Sequence, residues 1–278
     1  MSTPRTPRTP TTTPTSAAPA TAGRPSTTRT RLAALGRAEL TLLGRNRNNL
    51  FIAALMPLLM IFLLRSSLRG VDEATLGISL AAATLIGGTG MILLLVVYMS
   101  LTSSLTARRE ELVLKRLRTG EATDAEILAG AALPATAIAL TQCAILTVGG
   151  FTLLGADAPA RPDLLLLGLA VAVPLLAGLA ALTTTITRTV ESAGLTTLPL
   201  FLVSCFGSGL FVPHGALPEL AADLAQLLPL SGAMEFVRAG WLGTAHAGSL
   251  LTAALNTVAW GVLTGWAVRR WFRWEPRR

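Results

Sequence analysis

Residues 74–107 contain no Asp, Glu, Lys or Arg, and neither do residues 127–156. Few folds accept uncharged runs of that length. An α-helix rises about 1.5 Å per residue, so about 20 apolar residues cross a hydrocarbon core of about 30 Å. Each run is long enough to cross and to project beyond it. Composition agrees: 14% of residues are charged, against about 25% in soluble domains, and mean hydropathy is +0.59. The fold class read from this pattern is an all-α membrane protein.

Six spans are expected, at approximately 49–67, 78–105, 127–154, 164–186, 193–211 and 250–268. The first is at the short end for a crossing, with 17 residues between Arg47 and Arg65, and snorkelling arginines extend it. Pro134, Pro174 and Pro199 fall inside spans three to five, where neighbouring helices can re-satisfy the backbone. Residues 1–30 are a Thr/Pro-rich tail with almost nothing to bury, expected to be disordered. Residues 31–278 form the transmembrane domain. It begins with an amphipathic helix over 31–47, whose Leu32, Leu35, Leu42 and Leu43 share a side.

Basic residues orient such a chain, because cytoplasmic loops collect Lys and Arg. Of the 23 Lys and Arg, 19 lie on segments that share a side with the N-terminus. Both termini are therefore expected in the cytoplasm, with the protein multi-pass in the cell membrane. The net charge of +8 is explained by this bias. Nucleic acid is not an expected partner, since no aromatic residues are interleaved with the basic ones for base stacking. Cys143 and Cys205 lie inside apolar runs and read as small packing residues, too few for a disulfide or zinc framework.

Between spans two and three lies a block of charge, Arg108-Arg109-Glu110-Glu111, followed by Leu114-Lys115-Arg116-Leu117-Arg118. Interleaved leucines and charges give a short helix one apolar and one charged face, suited to docking. No phosphate-cradling Gly-rich loop precedes Lys115, the only lysine, so ATP hydrolysis is not expected here. No metal or cofactor site is expected, and no catalytic residue. His214 and His246 sit in the outer loop and read as surface residues. The span interiors hold essentially no ionisable side chain, which argues against an ion-coupled carrier or a channel. Energy for transport would come from a partner. The other reading is a membrane scaffold that binds a cytosolic partner without moving solute.

The long outer loop between spans five and six contains two apolar-rich pieces. In the first, Leu217, Leu220, Leu224 and Leu228 recur at helical spacing, with Pro218 near the start and Pro229 at the end. The second, 233–242, carries Glu235 and Arg238 at i, i+3, a spacing that allows an ion pair. Both pieces could dip into the outer leaflet or cap a cavity.

Two stretches carry a resemblance. Arg109-Glu110-Glu111 through Leu114-Lys115-Arg116-Leu117-Arg118-Thr119, ending at Glu126-Ile127-Leu128, resembles the cytoplasmic loop of ABC-2 type transporter permeases. Ser208-Gly209-Leu210-Phe211-Val212-Pro213, then Leu217-Pro218, Leu228-Pro229 and Val237-Arg238, is similar to the same family's pattern after its fifth span. The chain departs at Leu112-Val113, where the family commonly has Gly-Thr, and at Gly120-Glu121, where it has Thr-Pro. The details resemble the daunorubicin-resistance type of drug exporter.

The resemblance implies six helices per subunit, an amphipathic connecting helix, and re-entrant or cap helices before the last span. It implies a permease dimer, of two identical chains or with a paralogue, on separate ATP-binding cassette ATPase subunits that carry ATP and Mg. Residues 108–118 would be the ATPase-coupling segment. Pro213, Leu217, Pro218, Pro229, Glu235 and Arg238 would belong to the outer gate or cap. Thr89, Ser100, Thr102, Thr197 and Ser204 would line an apolar cavity with scattered hydroxyls. The implied activity is export of a hydrophobic or amphipathic drug or antibiotic by alternating access. Export of a lipid or lipid-linked glycan is the alternative.

Overall fold

The computed structural model describes residues 77–119, 123–207, 219–244, 246–272 and 274, with five isolated positions between 55 and 66. The expected tail, the connecting helix 31–47, nearly all of the first span, Gly120-Glu121, and Pro213, Leu217 and Pro218 lie outside the described residues. Helix is the only regular secondary structure among the described residues, with no strand.

Four helices are long and apolar enough to cross a membrane: α1 (Leu80–Glu110), α3 (Asp124–Leu154), α4 (Pro162–Ile186) and α8 (Ala247–Trp271). They correspond to expected spans two, three, four and six. α5 (Val190–Gly207) is shorter, and the end of the expected fifth span lies outside the described residues. Three short helices complete the set: α2 (Val113–Arg118), α6 (Glu219–Gln226) and α7 (Ser231–Leu242).

Local chemistry sets the ends. The Ser79 hydroxyl accepts from the Ala82 N–H at 3.2 Å to open α1. Thr123 and Glu126 form a reciprocal capping box at the start of α3, satisfying two donors that the first turn leaves without helical partners. α3 stops at Gly155 and α7 at Gly243, both at positive φ, where glycine carries no Cβ penalty. Pro162 stands in the first turn of α4, where its missing N–H costs nothing.

α1 runs further than the uncharged stretch suggests. Arg108, Arg109 and Glu110 continue the helix instead of starting a loop. Over Leu93–Ser100 it loosens into a π-helix. Tyr98, the only tyrosine in the chain, lies in that segment fully buried, with its hydroxyl 3.0 Å from the Thr183 hydroxyl on α4. A polar group in an apolar interior needs such a partner. α1 packs along α3, α4 and α5 and forms the middle of the core.

α7 is wedged between α4 and α8. The approach is close enough to require glycine. A Cβ on Gly240 would lie 2.6 Å from the Leu165 backbone nitrogen, and one on Gly232 2.5 Å from the Ala253 carbonyl oxygen. Small residues let helix backbones meet this closely in lipid. The turn between α6 and α7 reaches well down α8. Asn256 donates to the Gln226 carbonyl at 2.9 Å and the Trp260 indole N–H to the Leu227 carbonyl at 2.8 Å. Those residues lie about 14–20 Å along α8 from Ala247 at about 1.5 Å per residue. Backbone polar groups at such depth must be satisfied by protein.

Glu235 and Arg238 form no ion pair, contrary to the spacing argument. Both are half-buried on α7, and neither has a hydrogen bond or ion pair among the described residues. An i, i+3 pair contributes only about 0.2–0.5 kcal/mol, too little to fix two side chains when packing sets the helix's orientation. The outer ring of the bundle is apolar: Leu251, Leu255, Val258 and Val262 on α8 are all exposed, as a lipid-facing surface would be.

Replacing Gly240 by Ala should lower the thermal midpoint of the purified protein, a loss of about 1–3 kcal/mol from overpacking. Gly248→Ala, where a Cβ meets nothing within 4 Å, should not. Equal midpoints for the two variants would remove the close α4–α7 approach as a determinant of stability.

Candidate functional site

α1, α3, α4, α5 and α8 each bring one end to the same end of the bundle, and the charged segment is built into that junction. Arg109 is 0% exposed. Its guanidinium donates to the carbonyls of Thr184 and Thr187, where α4 ends and its last carbonyls have no helical partner. A cation at a helix C-terminus also meets the negative end of the helix dipole. The planar fork of arginine reaches both carbonyls at once.

The neighbouring residue grips the next helix. The Glu110 carboxylate accepts from the Val190 N–H at 3.2 Å, the first residue of α5. A carboxylate there meets the positive end of that dipole. Consecutive residues of α1 thus hold the end of α4 and the beginning of α5. The turn between them is tightened by Thr187 Oγ1 to Thr196 Oγ1 at 2.8 Å and by reciprocal bonds between Thr189 and Ser192.

After Glu110 the chain breaks. Leu112 has φ +59° and is the only non-glycine residue at positive φ among the described residues. It is 41% exposed, so little burial offsets the strain of about 1–2 kcal/mol for an L-residue in the left-handed region. The break lets α2 leave the axis of α1. Leu114 is fully buried, while Glu111, Lys115, Arg116 and Arg118 are exposed. Arg118 pairs with Asp124 at 3.2 Å and lies over the Trp274 ring at 5.1 Å. α2 is therefore tied to the start of α3 and to the residues after α8.

The expected coupling residues separate into two groups. Arg109 and Leu114 are interior and cannot themselves form a contact surface; Arg108 and Leu117 are partly buried. Glu110, Glu111, Lys115, Arg116 and Arg118 are exposed on one end of the molecule. Sequence reasoning did not find Thr184, Thr187, Val190, Asp124 or Trp274 as their partners. Only the run of hydroxyl residues after Leu182 marked the region.

Of the expected cavity residues, Thr89, Thr102, Thr197 and Ser204 are buried and Ser100 is exposed. The hydroxyls of Thr89, Thr102 and Thr197 bond to carbonyls of their own helices at 2.7–2.9 Å. Pro229 is buried in the turn before α7. A cavity of about 1050 Å³ opens elsewhere, between α3, α4 and α8, and none of these five hydroxyl residues lines it. α8 packs along α4 while α3 meets α4 only briefly, which leaves the groove. No group of acidic, Cys or His residues suited to a metal occurs among the described residues.

Arg109→Lys should lower the thermal midpoint, because an ammonium cannot reproduce the two-carbonyl contact; a loss of about 1–3 kcal/mol is expected for leaving a buried acceptor unpaired. Exposed Arg116→Gln is the control and should match the wild type. Leu112→Gly should match or exceed it, whereas β-branched Leu112→Val should fall below. The reverse order would show that positive φ at residue 112 carries no strain.

The family described as ABC-2 type transporter matches residues 30–242 of the chain. No curated protein matches it. With most of its length covered, the chain belongs to the ABC-2 type transporter family and is a component of membrane transport.

Proposed function

We propose that this member of the ABC-2 type transporter family is the membrane-spanning subunit of an exporter driven by a separate ATP-binding cassette ATPase. The observation that carries the reading is the charged hinge. An exposed face bearing Glu111, Lys115 and Arg116 follows directly on the end of α1, whose Glu110 and Arg109 hold the ends of α5 and α4. A force applied to that face reaches α1, α4 and α5 through the Leu112 bend, and α3 through the Arg118–Asp124 pair. ATP and Mg belong to the partner, and the chain itself catalyses nothing.

The end of the bundle that carries the hinge is the cytoplasmic one. Arg108, Lys115, Arg116, Arg188, Arg269 and Arg270 are assembled there, as the positive-inside rule requires. The subunit works as a dimer, and alternating access follows if the ATPase binds one arrangement of the helices more tightly than the other. The α6–α7 turn, satisfied by Asn256 and Trp260, caps the opposite side of the pathway. Spans without charged interiors favour a hydrophobic or amphipathic cargo, a drug or antibiotic, over an ion or free sugar.

Reversing the exposed charges, Glu111→Lys with Arg116→Glu, should leave membrane insertion intact. It should reduce co-purification of the ATPase about tenfold, a change of about 1.4 kcal/mol. Energy-dependent efflux of a lipophilic fluorescent compound should fall with it. Retention of full ATPase binding and efflux in the double variant would refute the assignment of this face.

A further inference from the structure

The groove between α3, α4 and α8 has features that packing among the described residues does not explain. Gly261 and Gly265 stand four residues apart in the wall formed by α8, and a Cβ on either would meet nothing within 4 Å. Glycine inside a helix costs about 0.5–1 kcal/mol relative to alanine. Several other interior glycines stand where another helix touches, as at Gly178 against Thr264, although Gly194 and Gly248 also face open space. Here two are placed against open space. Between them in the same wall, Thr264 is 4% exposed and its hydroxyl has no hydrogen-bond partner among the described residues. Thr257, deeper along α8, is buried with an equally unpartnered hydroxyl.

The two ends of the groove differ. Its deep walls are Ala132 and Thr136 of α3, Pro174 and Gly178 of α4, and Gly261 of α8. Its mouth holds Arg118, Asp124 and Arg269, beside the aromatic pair Phe272 and Trp274. Arg118 is paired with Asp124. Arg269 is exposed and has no acidic partner among the described residues, so the mouth carries a net positive charge. From Arg269 to Thr257 along α8 is about 18 Å, and from Asp124 to Thr136 along α3 about 18 Å, at about 1.5 Å per residue. Half of a bilayer core of about 30 Å is about 15 Å. The groove therefore spans one leaflet, with cations and aromatic rings at headgroup level and small apolar walls below.

We propose that this groove is a binding site for one anionic phospholipid of the leaflet at the basic end of the bundle. The phosphate sits between Arg269 and Arg118, and an acyl chain lies over α4 against Gly261 and Gly265. Phe272 and Trp274 stand at the depth where aromatic side chains favour the interface. Because Arg118 terminates α2 and Arg269 stands in the last turn of α8, the lipid bridges the charged hinge to the last helix. The site is separate from any transported cargo and holds whether or not the ATPase-coupling assignment does.

The test is native mass spectrometry of the full-length chain released from membranes in mild detergent, titrated with phosphatidylglycerol or phosphatidylcholine. One phosphatidylglycerol should bind about tenfold or more tightly than phosphatidylcholine, since each interfacial arginine contributes about fivefold. Arg269→Glu, at an exposed and unpaired position, should abolish that preference. Gly261→Leu, which fills open space, should weaken both lipids about tenfold, while Gly248→Leu outside the groove should change neither. Equal binding of the two lipids by the wild type overturns the proposal, as does unchanged binding in Gly261→Leu. If Gly261→Leu instead dissociates a second copy of the chain and leaves lipid binding untouched, the groove is a helix–helix interface and the lipid site is refuted.

Discussion

A guanidinium buried at the junction of three helices organises the basic end of this protein. Arg109 supplies the donors that the last carbonyls of α4 lack, and Glu110 supplies the acceptor for the first N–H of α5. Helix ends carry the backbone groups that a helix cannot satisfy internally. In an apolar surrounding those groups are costly to leave unpaired. One dipeptide of α1 serves both ends, with each charge on the dipole of opposite sign. The position of the α4–α5 turn, and of the helices leading into it, depends on this arrangement.

The consequence is a mechanical division within ten residues. Up to Glu110 the chain is part of the bundle. At Leu112 it turns through a left-handed conformation, and beyond that α2 offers charge to its surroundings while anchored by Leu114 beneath and Arg118 at its end. A segment that is exposed on one side and rigidly rooted on the other can pass on a push. A glycine at residue 112 would fit the same backbone without strain, so leucine there changes the energy of the bend and leaves its direction intact.

Several polar groups inside the membrane region find protein partners. Tyr98 finds Thr183, the α6–α7 turn finds Asn256 and Trp260, and Thr89, Thr102 and Thr197 bond to their own helices. Against that background, the unpartnered Thr257 and Thr264 along a groove with a cationic mouth are conspicuous. Lipid association with membrane helices rests on van der Waals packing and interfacial charge, and this groove presents both.

Hydropathy alone was enough to establish helices across a membrane, because no other backbone arrangement tolerates such long uncharged runs in lipid. The spans over 78–105, 127–154, 164–186 and 250–268 were legible for that reason, as was the gathering of basic residues at one end. The charged block was legible as a special segment, but not its division into buried Arg109 and exposed Arg116. That division depends on where α4 ends and α5 begins, 75 and more residues away along the chain. Of the hydroxyl residues chosen by composition as cavity lining, Thr89, Thr102 and Thr197 bond to carbonyls within their own helices. Glu235 and Arg238 had the spacing of a pair and are not one, because packing of α7 between α4 and α8 decides where their side chains lie. Sequence determines which segments must be helical and which end is basic, through the transfer cost of charge and backbone. Which helix ends meet, and which glycines face open space, is decided only by the packing of the helices against one another.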